Sequence, residues 1–196
     1  MKKRFKILVV GVGGQGALSA ARFLGEAALE KQLPVNVGQL HGMSQRGGSV
    51  EASVIIGPGH SSHIGNFEAD IILGLEPLEV LRALPMIKED TQVVANTGQI
   101  VPFSLAIQGV PYPPVGETLK KVRAVTKHLV EVDGPALTKE VGVPRTLNVA
   151  MLGALAGLKL LPFDNETLWK AIKMKCPHRY LDANRQAFEL GMKSVT

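Results

Sequence analysis

The sharpest chemical signal in the chain is the run Gly11-Val12-Gly13-Gly14-Gln15-Gly16. It follows an apolar, β-branched stretch, Phe5–Val10, and opens a segment of helical periodicity over 17–31. That context is what a phosphate-binding fingerprint requires. The first glycine permits a tight turn, the second lets a pyrophosphate approach the backbone, and the third lets helix and strand pack closely. Free N–H groups and the helix dipole at such a turn favour an anion. A strand-to-helix turn with no ligand would use the same glycines. The second signal is His41-Gly42-Met43-Ser44-Gln45-Arg46-Gly47-Gly48, which lies beyond the end of another predicted strand. Arg46 beside Gly47 and Gly48 would offer a charged fork next to open backbone N–H groups, suited to phosphate or carboxylate. His41, Ser44 and Gln45 add neutral hydrogen-bonding groups. An ordinary hairpin loop with one solvated arginine is the plainer reading of these residues.

Several other chemistries fail on specific residues. A free dinucleotide site wants an acid at the end of the second strand to hold the ribose hydroxyls. That strand ends Val37-Gly38-Gln39-Leu40-His41, and Glu30 falls on the preceding helix. No Gly-x-x-x-x-Gly-Lys-Ser/Thr loop is present. Ubiquitin-activating-like adenylyltransferases and tubulin-like GTPases begin with a similar turn, but their further acid, cysteine or second phosphate loop is missing. His60 and His63 stand three apart with no evident third metal ligand. No Ser/His/Asp or Cys/His arrangement is visible from spacing. Asn148 reads as a satisfied polar group on a buried helix. The one cysteine, Cys176, has Lys173, Lys175, His178 and Arg179 close in sequence, and is expected to be a packed core residue.

The elements that must position these residues alternate. Strands are expected over 5–10, 35–40, 49–56, 70–75, 91–95 and 128–132. Helices are expected over 17–31, 77–84, 118–127, 144–158, 165–175 and 178–192. Strand, glycine turn, helix and strand form a βαβ unit. Alternation of Val50, Ala52, Val54 and Ile56 with Glu51 and Ser53 marks a half-buried strand, antiparallel to its neighbour. Residues 98–116 hold Pro102, Pro111, Pro113 and Pro114 with little periodicity, and are expected to run extended across the surface. Gly153 and Gly157 suggest close helix packing. The fold class is therefore α/β: a Rossmann-like, mostly parallel sheet flanked by helices, with C-terminal helices completing a single domain over 1–196.

Composition bounds the rest. The 196 residues are 45% hydrophobic and 20% charged, enough for a core without disulfides. A net charge of +5 fits a protein that handles anions, or simply a soluble surface. Its basic residues form three short clusters, with no groove-entering motif for nucleic acid. A single cysteine fits a reducing compartment, and cannot supply the roughly four thiolates of an iron–sulfur cluster. No apolar run is long enough to span a bilayer, and no secretory leader is evident. The expected location is the cytoplasm.

Taken in order, FKILVVGVGGQGALSAARFLGEAA, HGMSQRGGSVEASVIIG and ADIILGLEPLEVLRALP resemble the small (gamma or beta) subunits of 2-oxoacid:ferredoxin oxidoreductases. The resemblance is best to the indolepyruvate branch and is strong over 6–97. It implies oxidative decarboxylation of an arylpyruvate with coenzyme A, giving an aryl-acetyl-CoA, CO2 and reduced ferredoxin. It also implies a large partner subunit carrying thiamine diphosphate, magnesium and iron–sulfur clusters. The chain itself shows no Gly-Asp-Gly followed by a distant Asn, the usual thiamine diphosphate signature. It is thus expected to hold no cofactor of its own, to be inactive alone, and to lend Gly11, Gly13, Gly14, Gln15, Gly16 and the His41–Gly48 loop to a shared site or to the partner. Ferredoxin would be met through the complex, and an exposed partner surface would favour a homodimer of the isolated chain. The rival readings are a dinucleotide-binding oxidoreductase, or a CoA- or nucleotide-binding module, acting alone.

Overall fold

The structure is a computed structural model that describes residues 4–41, 47–101, 109 and 111–195. Six strands form one mixed sheet. They are β1 (Phe5–Val12), β2 (Val35–His41), β3 (Ser49–Ile56), β4 (Ile71–Gly74), β5 (Gln92–Asn96) and β6 (Leu129–Val132). Seven α-helices lie among the described residues: α1 (Ala17–Glu30), α2 (Pro77–Arg82), α3 (Val115–Arg123), α4 (Gly134–Val141), α5 (Leu147–Gly157), α6 (Asn165–Lys175) and α7 (Leu181–Lys193).

The strand order is β2-β3-β1-β4-β5-β6. From β1 outward through β4, β5 and β6 all pairings are parallel. β3 runs antiparallel to both β1 and β2, with Val12 opposite Ser49 and His41 opposite Val50. The crossover β1–α1–β2 therefore skips a position, and β3 occupies it. The sequence shows β1, α1 and β2 as one βαβ unit, and the alternation in β3 is the trace of the inserted strand.

β1 is apolar throughout because both its faces are covered. Ile7 and Val9 join a core with α1, α5, α6 and α7, whereas Leu8 and Val10 join a second core with α2 and α3. α1 buries Ala20, Ala21, Leu24, Ala27 and Ala28 against the sheet. Leu29 is 56% exposed, because it stands a further 100° round the helix from Ala28. Pro77 sits at the first turn of α2, and the Asp164 carboxylate caps α6 by accepting from the Thr167 N–H at 2.8 Å. α3 starts three residues earlier than expected and ends at Arg123. α4 has no counterpart in the sequence reading: Asp133 caps it and Pro135 sits in its first turn, so Asp133-Gly134 begins a helix as well as ending a strand.

Candidate functional site

The carboxyl ends of β1, β2, β4, β5 and β6 and the amino end of β3 share one edge of the sheet. α1 leaves β1 for one face, and α2 leaves β4 for the other. The crevice between β1 and β4 is thus the topological switch point, where open α/β sheets place ligands.

The glycine turn occupies one wall of that crevice. Gly16 caps α1 in the left-handed region at φ 86°, with no side-chain cap below it and no acid in the first turn of the helix. A Cβ on Gly16 would stand 2.7 Å from the Asn148 amide nitrogen, which donates to the Gly16 carbonyl at 3.3 Å. Gln15 is turned inward. Its Oε1 accepts from the Val12 N–H at 2.7 Å, and its Nε2 donates to the Leu75 carbonyl at 2.8 Å. The same carbonyl accepts from Asn96 Nδ2 at 2.8 Å, while Asn96 Oδ1 takes the N–H groups of Gly98 and Gly134. One chain of amide hydrogen bonds therefore ties the ends of β1, β4 and β5 to the start of α4.

The two glycine motifs are joined directly. Gly13 N–H donates to the Gly48 carbonyl at 2.8 Å, and Gly47 N–H donates to the Gly13 carbonyl at 3.3 Å. The Gly13 donor expected for a pyrophosphate is thus engaged with the second loop. Gly14 is exposed, with open space where a Cβ would stand, and is the point of the turn that a ligand or partner can approach. The structure brings Gly11, Gly13, Gly14, Gln15 and Gly16 together with Gly47 and Gly48. Ser44, Gln45 and Arg46 lie outside the described residues, and of His41 only the strand backbone is described.

The opposite wall is acidic, which the sequence reading did not register. Glu76 is fully buried as the cap of α2. Its Oε2 accepts from the N–H groups of Leu78 at 2.7 Å and Glu79 at 3.1 Å. Its Oε1 accepts from the Tyr112 hydroxyl and from the Ile100 N–H. Burial pushes the Glu76 carboxyl above its ordinary range, against the pull of these donors. Burial, then the Glu76 bond, pushes the Tyr112 phenol well above its usual value. Glu79, also buried, accepts from the Ser49 hydroxyl and pairs with Arg82 at 3.0 Å. Half-burial and then the neighbouring Glu79 carboxylate raise the Glu51 carboxyl. A signal for this wall was available in Leu75-Glu76-Pro77, an acid before a proline directly after a strand, which marks a helix cap.

None of the described hydroxyl or thiol groups donates to a histidine, and no group of three His, Cys, Asp or Glu among the described residues could hold a metal. Cys176 is not a core residue as expected. It is partly exposed because Pro177 breaks α6 and carries the chain outward. The arrangement provides a shaped, braced edge rather than a reacting pair.

The family model described as pyruvate ferredoxin/flavodoxin oxidoreductase matches residues 6–194. The chain belongs to that family. It is a small subunit of a 2-oxoacid:ferredoxin oxidoreductase. It is 38% identical over 187 residues to the indolepyruvate oxidoreductase subunit IorB of Methanothermobacter thermautotrophicus, covering 95% of each chain. It is 37% identical to the IorB subunit of Thermococcus kodakarensis, covering 98% of this chain and 96% of that one. Among solved structures, the pyruvate oxidoreductase subunit PORC of Thermotoga maritima superposes with a TM-score of 0.69 at 27% identity, covering 98% of this chain and 97% of that one. The mixed sheet is thus the fold of this oxidoreductase family. None of the described helices is long and apolar enough to cross a membrane.

Proposed function

We propose that this oxidoreductase subunit serves an enzyme that oxidatively decarboxylates an arylpyruvate of the indolepyruvate type. Coenzyme A enters, and an aryl-acetyl-CoA, CO2 and reduced ferredoxin leave. The observation that carries this reading is end-to-end identity of 37–38% with subunits named for indolepyruvate. Thiamine diphosphate, magnesium and iron–sulfur clusters belong on a large partner subunit. The residues of this chain do not fit a cluster, since one cysteine cannot replace about four thiolates.

The contribution of this chain is positional. The glycine turn and Gly47–Gly48 form one rim, and Arg46, next to Gly47 in the sequence, is a residue type suited to the phosphates of CoA or to an acidic group of the partner. The enzyme acts in the cytoplasm, where the single thiol stays reduced.

The test is native mass spectrometry of the tagged chain purified without oxygen. A stoichiometric large subunit carrying iron, sulfide and thiamine diphosphate is expected, and the complex should turn over indolepyruvate faster than pyruvate. A free chain with a bound dinucleotide would overturn the reading. In the assembled enzyme, Arg46→Ala should raise KM for CoA with kcat little changed. An unaltered KM would remove Arg46 from the CoA site.

A further inference from the structure

β2 forms one edge of the sheet, and nothing in its sequence blunts that edge. Its seven residues, VNVGQLH, hold no Lys, Arg, Asp, Glu or Pro, and its register with β3 runs without a bulge. Charges, prolines and bulges are the devices that keep a free strand from pairing with another chain. Gly57 N–H donates to the Pro34 carbonyl at 2.7 Å, so the alternation of an antiparallel ladder turns the backbone groups of Asn36, Gly38 and Leu40 toward β3. Val35, Val37, Gln39 and His41 therefore present their N–H and C=O groups outward.

The flanks of the edge are apolar. Val37 is 41% exposed, and Leu29 of α1 is exposed beside it. Both line a groove of about 570 Å³ between α1 and β2, together with Arg22, Phe23, Glu26 and Val35. Leu40, 67% exposed, stands on the other face of the strand.

The charges on this flank decide what covers the edge. Arg22 is exposed and has no ion-pair partner among the described residues. Glu26, one turn further along α1, gives Oε1 to Lys175 at 2.9 Å, and its Oε2 has no partner among the described residues. A Cβ on Gly25 would touch Val37, which sets Arg22 toward Gln39 and Glu26 toward Val35. A two-fold axis at Gly38 lays β2 antiparallel to its own copy, with Val37 opposite Gln39 of the second copy. It brings Arg22 level with Glu26 of the second copy, and the reverse pair with it. α1 packs chiefly on β3, so the two α1 helices stand three strand spacings apart, about 14 Å. That is too far for direct helix packing, at about 8–10 Å, and near enough for a long ion pair. The edge is complementary to itself in hydrogen bonds, in apolar surface and in charge.

We propose that β2 is a self-association edge: two copies of this chain pair β2 with β2 in antiparallel fashion, forming one continuous sheet with Arg22–Glu26 ion pairs across the two-fold. Antiparallel pairing points the carboxyl ends of the parallel strands of the two copies in opposite directions, so both glycine-turn crevices stay open. The association does not depend on the substrate proposed above.

Sedimentation equilibrium of the full chain tests it. The parent is expected to be a dimer at micromolar concentration. Arg22→Glu and Glu26→Arg should each raise the dimer Kd about thirtyfold, because each substitution strikes both symmetric ion pairs and puts like charges together. The two combined should restore most of the affinity, since the charges are then exchanged and not lost. Gln39→Pro should leave a monomer: it removes one outward N–H and blocks the approach, at a position where an edge strand tolerates proline. Arg22 and Gln39 are exposed and Glu26 is half-buried, so every variant should keep the circular dichroism of the parent. A monomeric parent would overturn the proposal and leave the edge to the large subunit. A dimer indifferent to Gln39→Pro, or a double variant no tighter than the single ones, would overturn it as well.

Discussion

At the scale of single residues, the glycine-turn side chains brace the fold instead of presenting ligands. Gln15 satisfies one buried donor and one buried acceptor on different strands. Gln15→Leu should cost about 2 kcal/mol, because the Val12 N–H is left without a partner in the interior. The urea midpoint at constant m-value would read this. Gly16→Ala should destabilise as well: a left-handed alanine costs roughly 1–2 kcal/mol, and its Cβ meets Asn148. Trimming Asn148 in the same chain should recover only the steric part. Tyr112 offers a pH test. Its phenol stays neutral in the fold above the ordinary value of 10.0, where the unfolded chain has already ionised. The folded state then holds more protons than the unfolded one. Stability should fall as pH rises above 10.0, by at most about 1.4 kcal/mol per unit, until the folded phenol itself ionises. In the native chain a tyrosinate absorbance phase should appear late, and Tyr112→Phe should abolish it. Glycines 11–16 were legible as a turn from their order, but the inward rotamer of Gln15 was not. It depends on the Leu75 carbonyl, sixty residues away in sequence.

At the scale of elements, α5 and α7 approach each other backbone to backbone. A Cβ on Gly153 would lie 2.1 Å from the Phe188 carbonyl oxygen, and one on Gly191 would lie 1.9 Å from that of Ala150. Backbone atoms on both sides cannot give way as a flexible side chain can. Gly153→Ala should therefore cost about 3 kcal/mol, at the upper end for overpacking, whereas Gly116→Ala meets open space and should be close to neutral. Chemical denaturation of the two variants side by side checks the contrast. The packing role of Gly153 was legible because α5 is apolar all round, and only a buried helix is so composed. α4 was not legible: eight residues with two glycine or proline positions at the start give little periodicity, and its cap lies in a dipeptide that also ends β6. The strand order was unreadable for another reason. A crossover fixes the direction of β2 but not how many positions it skips.

At the scale of the whole molecule, two cores share one central strand. Alternate residues of β1 feed each of them, so neither can dissolve alone. The isolated chain should unfold in a single cooperative step. Fluorescence of Trp169, which stands against Phe188 in the larger core, should change together with far-ultraviolet circular dichroism. Separate transitions would show that the core under α2 and α3 is an independent unit. The family was legible from three segments in order, because Gln15, Gly47, Gly48 and Glu76 all lie within them. The acidic wall was less so, since Glu51, Glu76 and Glu79 meet only after folding. The inserted β3 also sets a schedule for synthesis. While the chain emerges from the ribosome, β1 and β2 have no shared neighbour until Ile56 is made. A nascent chain that stops at Gly48 can form α1 but has no sheet on which to lay it, and the apolar run Ile7–Val10 stays open to whatever chaperone meets it first.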